Sequence, residues 1–326
     1  MAGEVIPLSA LGLDGLPQGV TRCMVTAVDD PPAVLPLIAV TGASRGPTFV
    51  VTGGVHGDEY EGPQAIWRMA QDLAPSSLRG TLLMLPICNP WAYAEALRAT
   101  PASIDGLNLA RVFPGDAAGP PTLRLANALF DFVMRIHPAL FLDLHSGGVR
   151  YRFLPVVGYR AGLGDDERAR AASRAFGLPN LWELKDHPGT FNSETARRGV
   201  LTVGVEMSGM GGCLDEDVDA NCQGILNLMR WLGMLRDRAA PQMQGPFWQT
   251  TQVAAPADGF AVVERAVGQA VEAGQTVAGV VSPLGEHRVD AVAPHSGRVW
   301  VTRHVRKISE GEMICTIAGP AELRAG

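Results

Sequence analysis

Three short stretches of the chain place metal-binding and proton-handling side chains where apolar strands run out. The densest is Gly53-Gly54-Val55-His56-Gly57-Asp58-Glu59, in which a histidine and a glutamate stand three residues apart. Within one helical turn, side chains at i and i+3 aim at one point, as two ligands of a tetrahedral zinc must. The pattern H-x-x-E is common, and alone it reads equally as an ordinary helix start. The second stretch is Leu142-Asp143-Leu144-His145-Ser146-Gly147-Gly148, a buried strand ending in a histidine ahead of flexible glycines. By itself His145 also reads as a satisfied core histidine. Together His56, Glu59 and His145 would leave a fourth zinc position open to water, as a catalytic centre requires and a structural one does not. The third is Val203-Gly204-Val205-Glu206-Met207-Ser208-Gly209, with one carboxylate at the end of an apolar strand. A glutamate there is costly unless it is paired or working. Beside an activated water it could act as general base and then general acid, whereas its bland alternative is a structural carboxylate at a helix N-terminus.

The elements that would carry these groups alternate between strand and helix. Residues 48–52 read as a buried strand. A helix follows with Asp58 and Glu59 in its first turn, Ile66, Met69, Ala70 and Leu73 at helical spacing, and Pro75 at its end. Residues 82–85 read as the next strand, 100–121 as a long loop, and Leu123, Ala126, Leu129, Phe130 and Val133 as one helix face. Strands at 139–144 and 200–205 and a helix at 218–235 complete the pattern. The fold class this predicts is α/β, a mixed, mostly parallel sheet with helices on both faces and the site at the carboxyl ends of its strands. Asp143 and His145, two apart on one strand, share a face, and Asp58 lies between the ligands of the first stretch, so either carboxylate could orient an imidazole.

The character of the sequence changes near Ala239-Ala240-Pro241, which predicts two domains, 1–245 catalytic and 246–326 a small all-β unit. The tail repeats itself. Ala255-Pro256-Ala257-Asp258-Gly259 recurs at 293–297, and Val271-Glu272-Ala273-Gly274-Gln275 recurs as Ile308-Ser309-Glu310-Gly311-Glu312. These are two halves of one unit, and they resemble the biotinyl/lipoyl-like barrel-sandwich, a small closed β-barrel. The hairpin between the halves, residues 282–288, has no lysine, which argues against a swinging-arm carrier.

The three stretches, in this order and on this strand pattern, resemble the succinylglutamate desuccinylase/aspartoacylase family of the zinc carboxypeptidase clan, over nearly the whole chain. The resemblance implies one zinc ion per chain held by His56, Glu59 and His145, with Glu206 as the catalytic glutamate. Residues 103–115, Ser-Ile-Asp-Gly-Leu-Asn-Leu-Ala-Arg-Val-Phe-Pro-Gly, look like the family's N-L-N-R-x-F-P-G loop. That likeness assigns Arg111 to the substrate carboxylate and the upstream Arg98 to the scissile carbonyl and its oxyanion. Ala110 departs from the family's substrate-binding asparagine, a loss of roughly 1–3 kcal/mol if nothing substitutes; Asn108 is the candidate substitute. The first motif, the Ile-Asp-Gly loop and Asp-Leu-His-Ser-Gly-Gly look closest to the branch containing N-alpha-acetyl-2,4-diaminobutyrate deacetylase. The implied activity is zinc-dependent hydrolysis of the amide bond of an N-acyl amino acid. Two rivals remain: a zinc carboxypeptidase acting on short peptides, and a zinc-binding scaffold without catalysis.

Composition narrows the partners. With 326 residues, 47% apolar, and 27 basic against 33 acidic side chains, the chain is an ordinary globular protein with a formal charge of −6. That disfavours nucleic acid and membrane as partners, leaving a small-molecule substrate and self-association into a homo-oligomer. The start of the chain lacks the features of a secretory signal, and five scattered cysteines without a C-x-x-C pair predict reduced thiols, mostly in the core of a cytoplasmic protein. Walker, nucleophile-elbow and Rossmann fingerprints are missing from the sequence.

Overall fold

A computed structural model describes residues 5–321. A fourteen-stranded sheet runs through it, and its centre is four parallel strands in the spatial order Arg79–Leu85, Ser44–Thr52, Leu140–Ser146 and Thr202–Met207. Ala33–Thr41 and Gly19–Val28 extend one side antiparallel. On the other side Val156–Arg160 runs antiparallel to Thr202–Met207, followed in parallel by Leu181–Leu184 and Phe247–Ala254. The mixed α/β architecture expected from the sequence is what the chain forms.

The continuous apolar runs of the central strands arise because both faces are covered. Phe49, Val51, Leu82, Leu140, Leu142, Val203 and Val205 share one core with helices Glu61–Asp72, Asp166–Phe176 and Asp215–Trp231. Their neighbours Val50, Leu83 and Phe141 share the other with Leu125, Leu129, Phe132 and Val133 of helix Pro121–Ile136. Each such side chain contributes about 1.5–3 kcal/mol by leaving water. Two cores divided by strand alternation therefore hold the parallel block rigid, with its carboxyl ends along one edge.

Two local expectations are corrected. The helix after the first motif begins at Glu61, so Asp58 and Glu59 precede it and the His56–Glu59 pair sits in a turn. The reason is the Gly57 N–H, which donates to the Leu97 carbonyl at 2.8 Å, while the first backbone bond of helical type, Gln64 N–H to Tyr60 carbonyl, comes seven residues later at 3.0 Å. The cysteines also divide differently: Cys88 and Cys315 are core residues, Cys23 and Cys222 are half-buried and Cys213 is exposed.

The tail supplies short strands, but among the described residues they close no separate barrel. Phe247–Ala254, Met313–Pro320, Gly297–Arg303 and Ala270–Val271 continue the main sheet, while Arg288–Val292, Thr276–Val281, Gly259–Val263 and Lys307–Ile308 form a second, four-stranded antiparallel sheet. The two enclose one core that includes Val253, Val299 and Ile317 from the first and Ala261, Val277 and Val280 from the second. The sequence repeats interlock there. Gly259 of the first half pairs with Ile308 of the second, and Gly297 of the second pairs with Val271 of the first. Equivalent backbone bonds recur too, Ala255 N–H to Glu312 at 2.8 Å and Ala293 N–H to Gln275 at 2.9 Å. Edge strands taken up by the main sheet have no need to close on one another. Among the described residues no helix is long and apolar enough to cross a membrane.

Candidate active site

Register brings the motifs to one place. Leu140–Ser146 and Thr202–Met207 pair in parallel with Glu206 opposite His145, and Thr52 lies opposite Asp143 on the other side. His56 and Glu59 emerge just beyond Thr52. Three of the strand ends and one turn therefore converge at the carboxyl edge of the sheet, where ligands bind in open α/β folds.

The centre is the Glu59 carboxylate, 2% exposed. Its Oε1 lies 2.7 Å from His56 Nδ1 and accepts from Arg98 Nη1 at 2.9 Å. Its Oε2 lies 2.9 Å from His145 Nδ1 and accepts from the Ser146 N–H at 3.2 Å. The far nitrogen of His145 meets Asp143 Oδ2 at 2.9 Å, and Asp143 Oδ1 accepts from the Thr52 hydroxyl at 2.7 Å. The two imidazole centroids are 5.1 Å apart.

Electrostatics follow from that packing. Burial would push the Glu59 carboxyl up, but the flanking imidazoles of His56 and His145 hold it well below the usual range. Burial pulls both imidazoles down. For His56 it prevails; for His145 the carboxylates of Asp143 and Glu59 override it and raise the ring well above its ordinary value. Glu206 is pushed up to about 8 by burial, with Glu59 adding to the push and His145, Arg98 and Arg111 opposing it.

One ligand atom from each of His56, Glu59 and His145 lies within 4.8 Å of the others. A carboxylate and two imidazoles suit zinc, and the buried carboxylates of Glu59 and Asp143 against the two rings call for a cation among them. The donor set therefore fits a divalent metal.

The site opens into a cavity of about 570 Å³ whose lining includes His56, Arg98, Ala110, Arg111, His145 and Glu206. Arg111 projects from the turn Leu109–Arg111, its Nη1 donating to the Ala110 carbonyl at 2.9 Å. Asn108 caps that turn: its Oδ1 accepts from the Ala110 N–H at 2.9 Å and lies 3.2 Å from His56 Nε2, and it is not part of the lining. Asp58 faces away from both imidazoles and accepts from the Val149 N–H at 3.0 Å. Gly148 makes room for it, since at φ +51° a Cβ would stand 2.5 Å from Asp58 Oδ2.

Sequence reasoning missed the far wall. Tyr159 and Arg160 come from the strand Val156–Arg160, Trp182 and Glu183 from Leu181–Leu184, and Gln249 from Phe247–Ala254. It also missed Thr52, whose place before Gly53 at the end of a readable strand was the available signal.

Comparison with known proteins places the chain. Residues 45–232 match the succinylglutamate desuccinylase/aspartoacylase catalytic domain. The chain is 30% identical over 305 residues to the N-alpha-acetyl-L-2,4-diaminobutyric acid deacetylase of Halomonas elongata, covering 89% of this chain and 87% of that one. Among solved structures, a succinylglutamate desuccinylase/aspartoacylase from Rhodobacter sphaeroides superposes with a TM-score of 0.85 at 27% identity, over 95% of this chain and 99% of that one. The product-bound ectoine utilization protein of Ruegeria pomeroyi does so at 0.84 and 26% identity, over 95% and 97%.

Proposed function

This chain belongs to the succinylglutamate desuccinylase/aspartoacylase family, and on that premise we propose that it hydrolyses the amide bond of an N-acyl amino acid, releasing a carboxylic acid and a free amino acid. The observation that carries the reading is Glu206, a buried carboxylate in register with His145 and facing the same cavity as the His56–Glu59–His145 cluster.

His56, Glu59 and His145 would hold one zinc ion, which when bound supplies Lewis-acid polarisation of the scissile carbonyl and of water. Cobalt, iron or manganese could take the same ligands. Asp143 fixes the ring of His145 from behind, and Thr52 fixes Asp143. Glu206 takes a proton from the attacking water and returns it to the leaving nitrogen, a relay for which its place opposite His145 on the cavity wall suits it. Arg98, which lines the cavity while donating to Glu59, stabilises the oxyanion, and Arg111 holds the amino-acid carboxylate. Asn108 assists Arg111 only indirectly, by capping its turn. Asp58 steadies the turn at 147–149 beside the site. A division into a catalytic segment 1–245 and a tail from 246 suits this, with Gln249, Gln252, Met313 and Thr316 of the tail completing the cavity lining. Such a protein works in the cytoplasm on a small solute, without nucleic acid or membrane, and can do so as a monomer or a homo-oligomer.

The test is amine release from a panel of N-acetyl, N-succinyl and N-formyl amino acids, N-acetyl-2,4-diaminobutyrate included, with zinc-loaded wild type beside Glu206→Gln. The wild type should turn over at least one member, and the variant should keep its zinc while losing on the order of 10²–10⁴ in turnover. Silence of the zinc-loaded wild type across the panel, with cleavage of dipeptides or of nothing, would overturn the reading.

A further inference from the structure

The cavity continues past Glu206. Thr202, Gly204 and Glu206 alternate along the strand Thr202–Met207, so they share one face, and all three line the cavity, while Val203 and Val205 belong to the core. Two residues along a strand span roughly 6.5 Å, about the reach of a short substrate side chain. Gly204 leaves its place on that face empty, and another segment fills it. A Cβ there would stand 2.6 Å from Nδ2 of Asn192, a cavity-lining residue of the short helix Phe191–Arg197. The Asn192 carboxamide thus sits where a side chain at 204 would be. Its Oδ1 is buried and accepts no hydrogen bond from any described residue. A buried carbonyl oxygen without a donor costs about 1–3 kcal/mol, which a ligand that brings the donor recovers. The terminal torsion of asparagine is soft, so this oxygen can turn to a donor held in the cavity.

The helix is docked on the turn that carries Arg111. The Phe191 ring stacks on Phe113 with centroids 4.1 Å apart and planes 6° from parallel, and the Gly189 carbonyl accepts from the Phe113 N–H at 3.0 Å. Glu206, Arg111 and Asn192 therefore bracket one end of the cavity. In the proposed reaction Glu206 serves the leaving nitrogen and Arg111 the carboxylate of the same amino acid. The substituent left between them is the amino-acid side chain, and it is the part that meets Asn192.

We propose that Asn192 sets specificity by accepting a hydrogen bond from the end of the amino-acid side chain, so that the preferred substrates are N-acyl amino acids whose side chains end in an N–H or O–H donor. This rests on the deacylase reading above. A site built to pair with such a donor rejects the analogue that lacks it, because its own polar atom is then left unpaired. The cavity carries charges of both signs, Arg111 and Arg160 against Glu183 and Glu206, so the experiment separates a charged donor from a neutral one.

The experiment measures kcat and KM for N-acyl derivatives of 2,4-diaminobutyrate, homoserine and norvaline, whose side chains match in length and end in ammonium, hydroxyl and methyl, and of aspartate. Each carries the acyl group that the panel above favours, or acetyl if it favours none, and is tested on zinc-loaded wild type, Asn192→Leu and Asn192→Asp. At least one of the two donor-bearing compounds should be preferred over the norvaline compound by about tenfold or more, and which one tells whether the donor is charged. Asn192→Leu should raise KM for that substrate by about 10- to 100-fold, the scale of a buried acceptor's lost partner, with little change in kcat, and so end the preference. Asn192→Asp, which keeps an oxygen acceptor at the same place, should retain it. A wild type that prefers the norvaline or the aspartate compound, or loss of the preference in Asn192→Asp, overturns the proposal. Calorimetric binding of the homoserine, diaminobutyrate and norvaline compounds to the Glu206→Gln protein, with and without Asn192→Leu, separates the two readings. Tighter, Asn192-dependent binding of a donor-bearing compound in a protein whose wild type hydrolyses nothing upholds Asn192 and sinks the deacylase. Equal binding of all three, or of none, sinks Asn192 whatever the turnover.

Discussion

Replacing Asp143 by Asn isolates what one buried charge contributes to metal binding. Asp143 is 1% exposed and spans two partners, His145 Nε2 at 2.9 Å and the Thr52 hydroxyl at 2.7 Å. An asparagine can keep both contacts. Its oxygen accepts from the imidazole, and its amide donates to Thr52, whose hydroxyl then turns to the Leu142 carbonyl, already within 3.5 Å. The shape survives while the charge goes. Hydrogen bonds to charged groups contribute about 1.5–3 kcal/mol against about 0.5–1.5 for neutral ones, so the bond behind His145 weakens by roughly 1–1.5 kcal/mol. Loss of the anion behind the ligand adds to this, and the zinc dissociation constant should rise about 10- to 100-fold. Competition against a chelator of known affinity measures it, with far-UV circular dichroism as the check on folding. A folded Asp143→Asn protein that binds zinc within about twofold of wild type would refute the idea that Asp143 tunes His145.

Other outcomes follow from residues packed on or behind the wall of the cavity. Trp300, 2% exposed, meets Trp182 and Trp248 with ring centroids 6.0 and 6.3 Å away, so Trp300→Ala should cost about 3–5 kcal/mol, read as a drop in urea midpoint with little change in slope. Glu183 resists burial, which would raise its carboxyl, because Tyr159, Gln249 and Arg170 hold it below its ordinary 4.5. A depressed carboxyl stabilises above the unfolded value and loses that contribution as pH falls through the folded one. The stability gap between wild type and Glu183→Gln, from urea unfolding at pH 7 down to 3.5, should therefore narrow below about pH 4.5; a constant gap would count against the pairing.

The candidate groups were legible in the sequence because His145 and Glu206 each close an apolar run where a polar side chain is costly unless it is paired or working. His145 and Glu206 had to stand at strand ends, and parallel pairing then set them side by side. Thr52 was marked only by its place at a strand end before Gly53, and its role needed the register that sets Asp143 opposite it. Arg160 was invisible. Its strand, Val156–Arg160, is short and runs antiparallel at the border of the parallel block, so neither period nor length marks it. The helical reading of His56 and Glu59 failed because a bond from Gly57 to Leu97 outweighs local helical propensity. The tail's repeat was plain, but the partner of each half was not: local sequence cannot say that Gly259 pairs with Ile308 while the outer strands join the main sheet.

That interlocked tail makes the pocket a joint property of two parts of the chain. Gln249, Thr250, Gln252, Met313 and Thr316 line the same cavity as Glu206, and Trp248 lies beside Trp182 in the sheet as its antiparallel tail strand lies beside it in turn. Exchange of residues beyond 246 between relatives would leave the His56–Glu59–His145 cluster and Glu206 untouched and remodel the opposite wall of their cavity. The metal-ligand cluster and the wall it faces can then vary separately, with a duplicated and self-interlocking unit as the exchangeable part.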